Sequence, residues 1–323
     1  MPVLVTGGQG FIGSWLVSRL LDDGARVAVL RRDVPAESRF GIEGLGERCD
    51  VVEGDLVDYE SLVRALNEYE VRAVFHLGAQ TIVGTANRSP FSTWETNIRG
   101  TYSLLEACRA VGVVGDPVER VVVASSDKAY GSHDRLPYDE AFPLQPQYPY
   151  DVSKAATDMI ARSYALTYGL PVAVTRLANV YGGGDFNFSR IVPDTARALV
   201  RGDRPLIRSD GTPERDYIYA ADAVEAYLAV AASLDDEAMR GRAWNAGAGR
   251  PYPVLEIVRR LIAVSGREAE PEIAGEGTPH GEIDRQFLDS TRIREELGWE
   301  PRWDLDDGLR ETWEWYERHI GKP

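Results

Sequence analysis

The chain has 323 residues, 44% hydrophobic and 27% charged, which is the balance of an ordinary globular protein with room for two domains or one large core and a lobe. Acidic residues outnumber basic ones 51 to 36, a formal net charge of −15. That charge argues against gripping nucleic acid or an anionic membrane surface, while a few local arginines would still suffice for an anionic small substrate. Two isolated cysteines, Cys49 and Cys108, and four scattered histidines, His76, His133, His280 and His319, suggest neither a disulfide framework nor a metal site.

The chain opens MPVLVTGG. It has no basic segment followed by an apolar one, so no secretory leader is expected. No apolar run reaches about 18 residues, so no membrane span is expected either. A cytoplasmic location is the expectation.

In chain order, residues 2–6 read as a strand that breaks at Gly7-Gly8. Residues 11–22 read as a helix with Ile12, Leu16, Leu20 and Leu21 on one stripe, and Gly24 as its stop. A second strand over 27–30 completes a strand–helix–strand unit. Strands over 49–53, 73–77, 121–124 and 172–176 then alternate with helical stretches over 60–66, 90–111 and 150–168. Asn97 to Gly100 interrupts the polarity of the second of these stretches. The alternation predicts an α/β fold, a mostly parallel sheet covered by helices on both faces. Beyond Asn179 the texture changes to glycine-rich loops, with helices near 191–201, 254–264, 291–297 and 306–320. A strand–helix pair lies around 216–232, with Asp222 placed to cap the helix, and a short strand falls at 244–245.

Gly7, Gly10 and Gly13 form G-x-x-G-x-x-G between a strand and a helix. That is the setting in which glycines let a backbone approach a dinucleotide pyrophosphate at a helix N-terminus. Phe11 and Ile12 belong to the same turn, and they are expected at the cofactor together with Leu77, Gly78 and Ala79, where the fourth strand ends. The second strand ends Leu30-Arg31-Arg32-Asp33. The arginine pair suits the 2′-phosphate of NADP, while Asp33 leaves NAD open through a ribose hydroxyl. Asp55 and Leu56, after the third strand, are expected near the adenine.

Tyr150 and Lys154 stand four apart near the start of a helix, hence on one face. An ammonium beside a phenol favours the phenolate and would bring the tyrosine down from about 10 toward neutrality. Such a tyrosine can take a proton from a substrate hydroxyl while hydride leaves the adjacent carbon. Ser126 would share that hydrogen bond. Its neighbours Asp127 and Lys128 add an acid and a base at one strand end. Arg190 and Arg215 offer paired donors for a pyrophosphate, with Asn179 beside them, and Thr81 and Gln80 are candidates to line the pocket. His76 reads as support for the cofactor loop.

Gly7/Gly10/Gly13, the 76–79 segment, Asn97 before Gly100-Thr101, Ser126, Tyr150/Lys154, Asn179 and the RDYIY segment from Arg215 to Tyr219 occur together over nearly the whole chain. As a set they resemble the extended short-chain dehydrogenase/reductases, in the nucleotide-sugar epimerase and dehydratase branch. SSDKAYG and NVYGGGDFNFSRIVPD are closest to CDP-glucose 4,6-dehydratases.

The resemblance implies a Rossmann-type domain over 1–178, with parts of about 213–247 returning to it. The remainder, 179–212 and about 248–323, would form a smaller C-terminal α/β lobe for the nucleotide sugar. It implies a homodimer that binds NADP, or alternatively NAD. It also implies 4,6-dehydration, in which Ser126 orients O4, Asp127 protonates the departing C6 hydroxyl and Lys128, or a water it orients, takes the C5 proton. A 4-epimerase or related decarboxylase has no such use for Asp127 and Lys128, and is the alternative. A non-catalytic NADP-binding protein is the second alternative.

Overall fold

The computed structural model describes residues 1–277 and 283–320; His280 lies outside them. Thirteen strands are found among the described residues. They are β1 (Pro2–Thr6), β2 (Arg26–Arg31), β3 (Asp50–Glu53), β4 (Ala73–His76), β5 (Arg120–Ser126), β6 (Val172–Leu177), β7 (Asn179–Tyr181), β8 (Leu206–Ile207), β9 (Glu214–Tyr219), β10 (Ala243–Ala246), β11 (Pro251–Pro253), β12 (Glu272–Ile273) and β13 (Arg285–Gln286).

The main sheet runs β3-β2-β1-β4-β5-β6-β10 and is parallel throughout. Its strands are apolar runs because both faces are covered. Side chains alternate, so Val3 and Val5 enter one core with Leu16, Val17 and Leu20, while Leu4 enters the other with Leu62 and Leu104. Truncating a fully buried side chain such as Leu16 to alanine would cost about 2–5 kcal/mol.

The strand order reverses between β1 and β4, and the loops that follow these two strands meet there. A Cβ on Gly7 would lie 2.7 Å from the Gly78 nitrogen. A Cβ on Gly13 would lie 2.0 Å from the Gly7 carbonyl oxygen, so the first turn of the helix Phe11–Asp22 can follow β1 this closely only with glycine. A crevice at the carboxyl ends of strands, at such a reversal, is where open α/β sheets bind ligands.

The smaller lobe is built on β11-β9-β13, with β7 alongside β9. The helices Ile191–Arg201, Val254–Ser265 and Leu305–Ile320 bury Val192, Leu199, Ile257, Leu261, Leu309 and Trp313 in a third core. Trp15 of the first helix donates its indole N–H to the Gly183 carbonyl at 2.9 Å, tying lobe to sheet. β10 follows the helix Ala220–Ser233 back into the main sheet.

Asp222 does not cap that helix as expected: Tyr219 holds the cap position, and Asp222 lies within the first turn. Its carboxylate instead accepts the backbone N–H groups of Arg302 and Trp303, each at 3.0 Å. The partners were 80 residues away, beyond any local pattern. The polarity break at Asn97 is a π-helical turn, Glu95–Arg99, between the helices Pro90–Trp94 and Gly100–Val114. No helix among the described residues is long and apolar enough to cross a membrane.

Candidate active site

β5 ends at Ser126, and the chain tightens into the 3-10 turn Asp127–Tyr130. Ser126 Oγ accepts from the Lys128 backbone N–H at 3.3 Å and donates to Asp127 Oδ1 at 3.0 Å. Asp127 is 3% exposed, and its Oδ2 has no hydrogen-bond partner among the described residues. Burial raises this carboxyl above the usual carboxylate range; the charges of Lys128 and Arg215 and the bond to Ser126 pull the other way. The turn thus carries a buried carboxyl oxygen with spare bonding capacity and a bias toward the protonated acid.

The helix Pro149–Tyr168 faces this turn. Tyr150 is buried in its first turn, and Lys154 lies one turn on. Lys154 Nζ donates to the Ala124 carbonyl on β5 at 2.8 Å, and burial brings its ammonium down to about 8. The expected lowering of the Tyr150 phenol is not what the structure shows. Burial pushes it up to about 12; the Arg190 charge and a bond with Ser126 oppose this, and the Asp151 and Asp127 charges add to it.

Asn97 is a residue to which the sequence reading gave no role in the site. Its Nδ2 donates to Ser153 Oγ at 2.8 Å and to the Gln80 carbonyl at 3.0 Å, and its Oδ1 accepts from the Gln80 N–H at 2.7 Å. It therefore holds the segment that carries Gln80 and Thr81 against the Tyr150 helix. The available signal was the break in helix polarity, since π-turns gather at functional sites.

On the nucleotide side, His76 bonds Thr6 Oγ1 at 2.8 Å through Nδ1 and Thr101 Oγ1 at 3.0 Å through Nε2. Burial lowers it to about 3, so it is neutral, and Thr6 Oγ1 also accepts the Gly78 N–H. Leu56 packs where a Cβ on Gly78 or on Gly100 would lie 2.8 Å from its side chain, and Asp55 accepts the Val57 N–H at 3.2 Å. The glycine cradle, with Leu77, Gly78 and Ala79 beside it, fits a dinucleotide. The two arginines are already paired: Arg31 with Glu53, and Arg32 Nε with Asp33 at 2.6 Å.

Of the three residues expected at a pyrophosphate, Arg215 lies within electrostatic reach of Asp127 and Arg190 within reach of Tyr150. Arg215 Nη1 donates to the carbonyls of Glu214 and Asp284 at 2.8 and 3.0 Å, and Arg190 Nη1 pairs with Asp185 at 3.1 Å. Asn179 Nδ2 is buried with no hydrogen-bond partner among the described residues.

The chain matches the family model described as GDP-mannose 4,6 dehydratase over residues 4–312. It is 31% identical to the CDP-glucose 4,6-dehydratase of Salmonella typhimurium, over 98% of this chain and 91% of that one. It is 33% identical to the UDP-glucose 4-epimerase of Mycolicibacterium smegmatis, over 98% of each chain. The solved dTDP-glucose 4,6-dehydratase of Streptomyces venezuelae superposes with a TM-score of 0.87 at 31% identity, covering 99% of this chain and 98% of that one. That structure holds NAD, as do other similar dehydratase and epimerase structures. The expectation of NADP is overturned by this finding, and the pairing of Arg31 and Arg32 gives the physical reason: a 2′-phosphate there would face the carboxylates of Glu53 and Asp33. The chain belongs to the GDP-mannose 4,6 dehydratase family, and it is an NAD(P)-linked nucleotide-sugar-modifying enzyme of the dehydratase and epimerase superfamily.

Proposed function

We propose that the enzyme is a nucleotide-sugar 4,6-dehydratase working with NAD, converting an NDP-hexose to an NDP-4-keto-6-deoxyhexose. The observation that carries this reading is Asp127, a buried carboxyl with one oxygen unpartnered among the described residues, bonded to Ser126 and followed by Lys128 at the end of β5. An enzyme that only inverts C4 expels no water and has no use for such an acid.

In this reading Gly7, Gly10, Phe11, Ile12 and Gly13 cradle the pyrophosphate of NAD. Asp55, Leu56, Leu77, Gly78 and Ala79 line its course, Arg31 and Arg32 flank its adenosine end, and Tyr150 and Lys154 hold the nicotinamide end. NAD bound there supplies the hydride acceptor for C4 and the hydride that returns to C6. Tyr150 takes the proton of the 4-hydroxyl, with Ser126 sharing the hydrogen bond and the Arg190 charge easing the phenolate. Lys128, or a water it orients, removes the proton from C5, now acidified by the 4-ketone. Asp127 gives its proton to the C6 hydroxyl, which departs as water, and C5 recovers a proton when C6 is reduced. Arg190, Arg215 and Asn179 Nδ2 bind the substrate pyrophosphate, and Thr81 lines the sugar pocket. The enzyme acts as a homodimer. Residues 1–178, with parts of about 213–247, form the cofactor domain, and the remainder forms the substrate lobe.

The test is mass spectrometry of the purified protein incubated with CDP-glucose, GDP-mannose, dTDP-glucose, UDP-glucose, UDP-GlcNAc and UDP-glucuronate. Loss of one water from one of them supports the reading and selects the substrate. An unchanged mass with a new sugar isomer replaces it with the second reading, a 4-epimerase, which is favoured by the 33% identity to a UDP-glucose 4-epimerase.

A further inference from the structure

Behind the site lies a buried polar network whose members come from distant parts of the chain. Arg176 on β6 donates through Nε and Nη2 to the two carboxylate oxygens of Asp158, at 2.8 and 3.0 Å. Its Nη1 donates to the Tyr130 hydroxyl at 2.8 Å, and that hydroxyl donates to Asn245 Oδ1 at 2.7 Å. Asn245 Nδ2 continues to the carbonyls of Tyr138 and Asp289, at 2.9 and 3.2 Å. Arg176, Asp158, Tyr130 and Asn245 are each at most 1% exposed.

The placement of the ends matters. Asp158 is one turn beyond Lys154 on the Tyr150 helix. Tyr130 closes the 3-10 turn that begins with Asp127 and Lys128. One guanidinium therefore joins the element with the Tyr150–Lys154 pair to the element with the acid and its neighbouring lysine. A buried ion pair is a poor source of stability, because desolvation offsets the attraction. A two-pronged, planar guanidinium does fix geometry between the groups it bridges. The Tyr150 helix has other anchors near its start, Lys154 to Ala124 and Ser153 to Asn97. The C-terminal end of the turn is also held through its backbone, where the Tyr130 carbonyl accepts the Gln145 N–H at 3.0 Å and the Gly131 carbonyl accepts the Tyr138 hydroxyl at 3.1 Å, and the Tyr130 hydroxyl is its link through Arg176 to the Tyr150 helix.

We propose that Tyr130 and Arg176 are positioning residues that set the reach of Asp127 and Lys128 toward the sugar, relative to Tyr150. They touch no reacting atom. Their removal slows water loss more than it slows oxidation at C4. This inference rests on the dehydratase reading.

The experiment follows single turnovers of wild type, Tyr130→Phe and Arg176→Lys with the sugar nucleotide that wild type accepts. Reduced nicotinamide is read by absorbance, water loss by mass spectrometry, and folding by thermal melting. In Tyr130→Phe, water loss is expected to fall about 10- to 100-fold while C4 oxidation stays within about threefold, so reduced nicotinamide accumulates. Arg176→Lys, which keeps the charge but cannot bridge both partners, is expected to shift the same ratio. A folded Tyr130→Phe that slows both steps equally, or slows neither and only melts earlier, overturns the positioning role. A wild type that releases water from no sugar nucleotide removes the dehydratase reading itself, and this inference falls with it.

Discussion

Lys154 gives its ammonium to the Ala124 carbonyl at 2.8 Å, in a place where burial brings it from 10.5 down to about 8. The folded chain therefore holds this charge at a cost. Between about pH 8 and 10.5 the unfolded state binds more protons at this position than the folded state does, so stability contributed here rises with pH through that window and is at its lowest below it. The full difference corresponds to about 3 kcal/mol. Lys154→Met removes the cost together with a hydrogen bond worth about 1 kcal/mol. The variant is expected to lose C4 oxidation by about 100-fold or more, yet to unfold later in urea at pH 7 by about 2 kcal/mol. Its advantage should vanish by pH 10. Equal urea midpoints at pH 7 and pH 10 would refute the assignment of cost to this ammonium.

In the dehydratase reading, Asp127 is the residue that separates water loss from simple inversion. Asp127→Asn keeps the shape and the bond to Ser126 but has no proton to give. C4 oxidation is expected to continue, while 4-keto-6-deoxy product falls by about 100- to 10,000-fold. Reduced nicotinamide and a 4-keto sugar that still holds its C6 hydroxyl should build up. The raised carboxyl also sets a pH sign: wild-type water loss should persist above the usual carboxylate range and decline as the proton is lost. Normal product formation by Asp127→Asn would demote this side chain to a structural role.

What the sequence made legible was local. The three glycines lie within one turn of each other, Tyr150 and Lys154 are four apart on one helix, and Ser126 to Lys128 are contiguous. The apolar stripe of Ile12, Leu16, Leu20 and Leu21 likewise marks the helix Phe11–Asp22 with the bounds the structure gives. The rest depends on partners brought from afar. Arg31 reads as a phosphate ligand until the parallel register sets it opposite Glu53, 22 residues on. The Lys154 direction is fixed by a carbonyl 30 residues earlier. Arg176 looks like one more residue in an apolar strand until Asp158 and Tyr130 converge on it. In each case the charge was visible and the partner it bonds in the fold was not.

The Arg31–Glu53 and Arg32–Asp33 pairs imply how cofactor choice could be moved. Wild type should prefer NAD. Replacing both acids, Asp33→Asn with Glu53→Gln, leaves two arginines without their carboxylates at the end of β2. The double variant should gain NADP affinity by about 10-fold or more, since two charge-assisted bonds to a phosphate become available and two repulsive carboxylates are removed. Titration of each dinucleotide by isothermal calorimetry measures the ratio. An unchanged ratio would mean that the 2′-position lies away from these side chains.

The last prediction concerns the faces of the helices Gly100–Val114 and Pro149–Tyr168, together with the short Pro90–Trp94 helix. Phe91, Trp94, Tyr102, Met159, Leu166 and Tyr168 are exposed there, and Leu166 is 78% exposed. Scattered apolar residues are normal on a surface, but large ones gathered on neighbouring helices are a feature of association sites. A second copy meeting the first across this face would bury them in a helix bundle. Sedimentation equilibrium should give twice the chain mass for wild type at micromolar concentration. Met159→Glu with Leu166→Glu places two like charges on each copy at the shared face and should yield monomers that still bind NAD, because Tyr150 and Lys154 point from the opposite, buried side of the same helix. A wild type that sediments as a monomer, or a double variant that stays dimeric, would rule this face out.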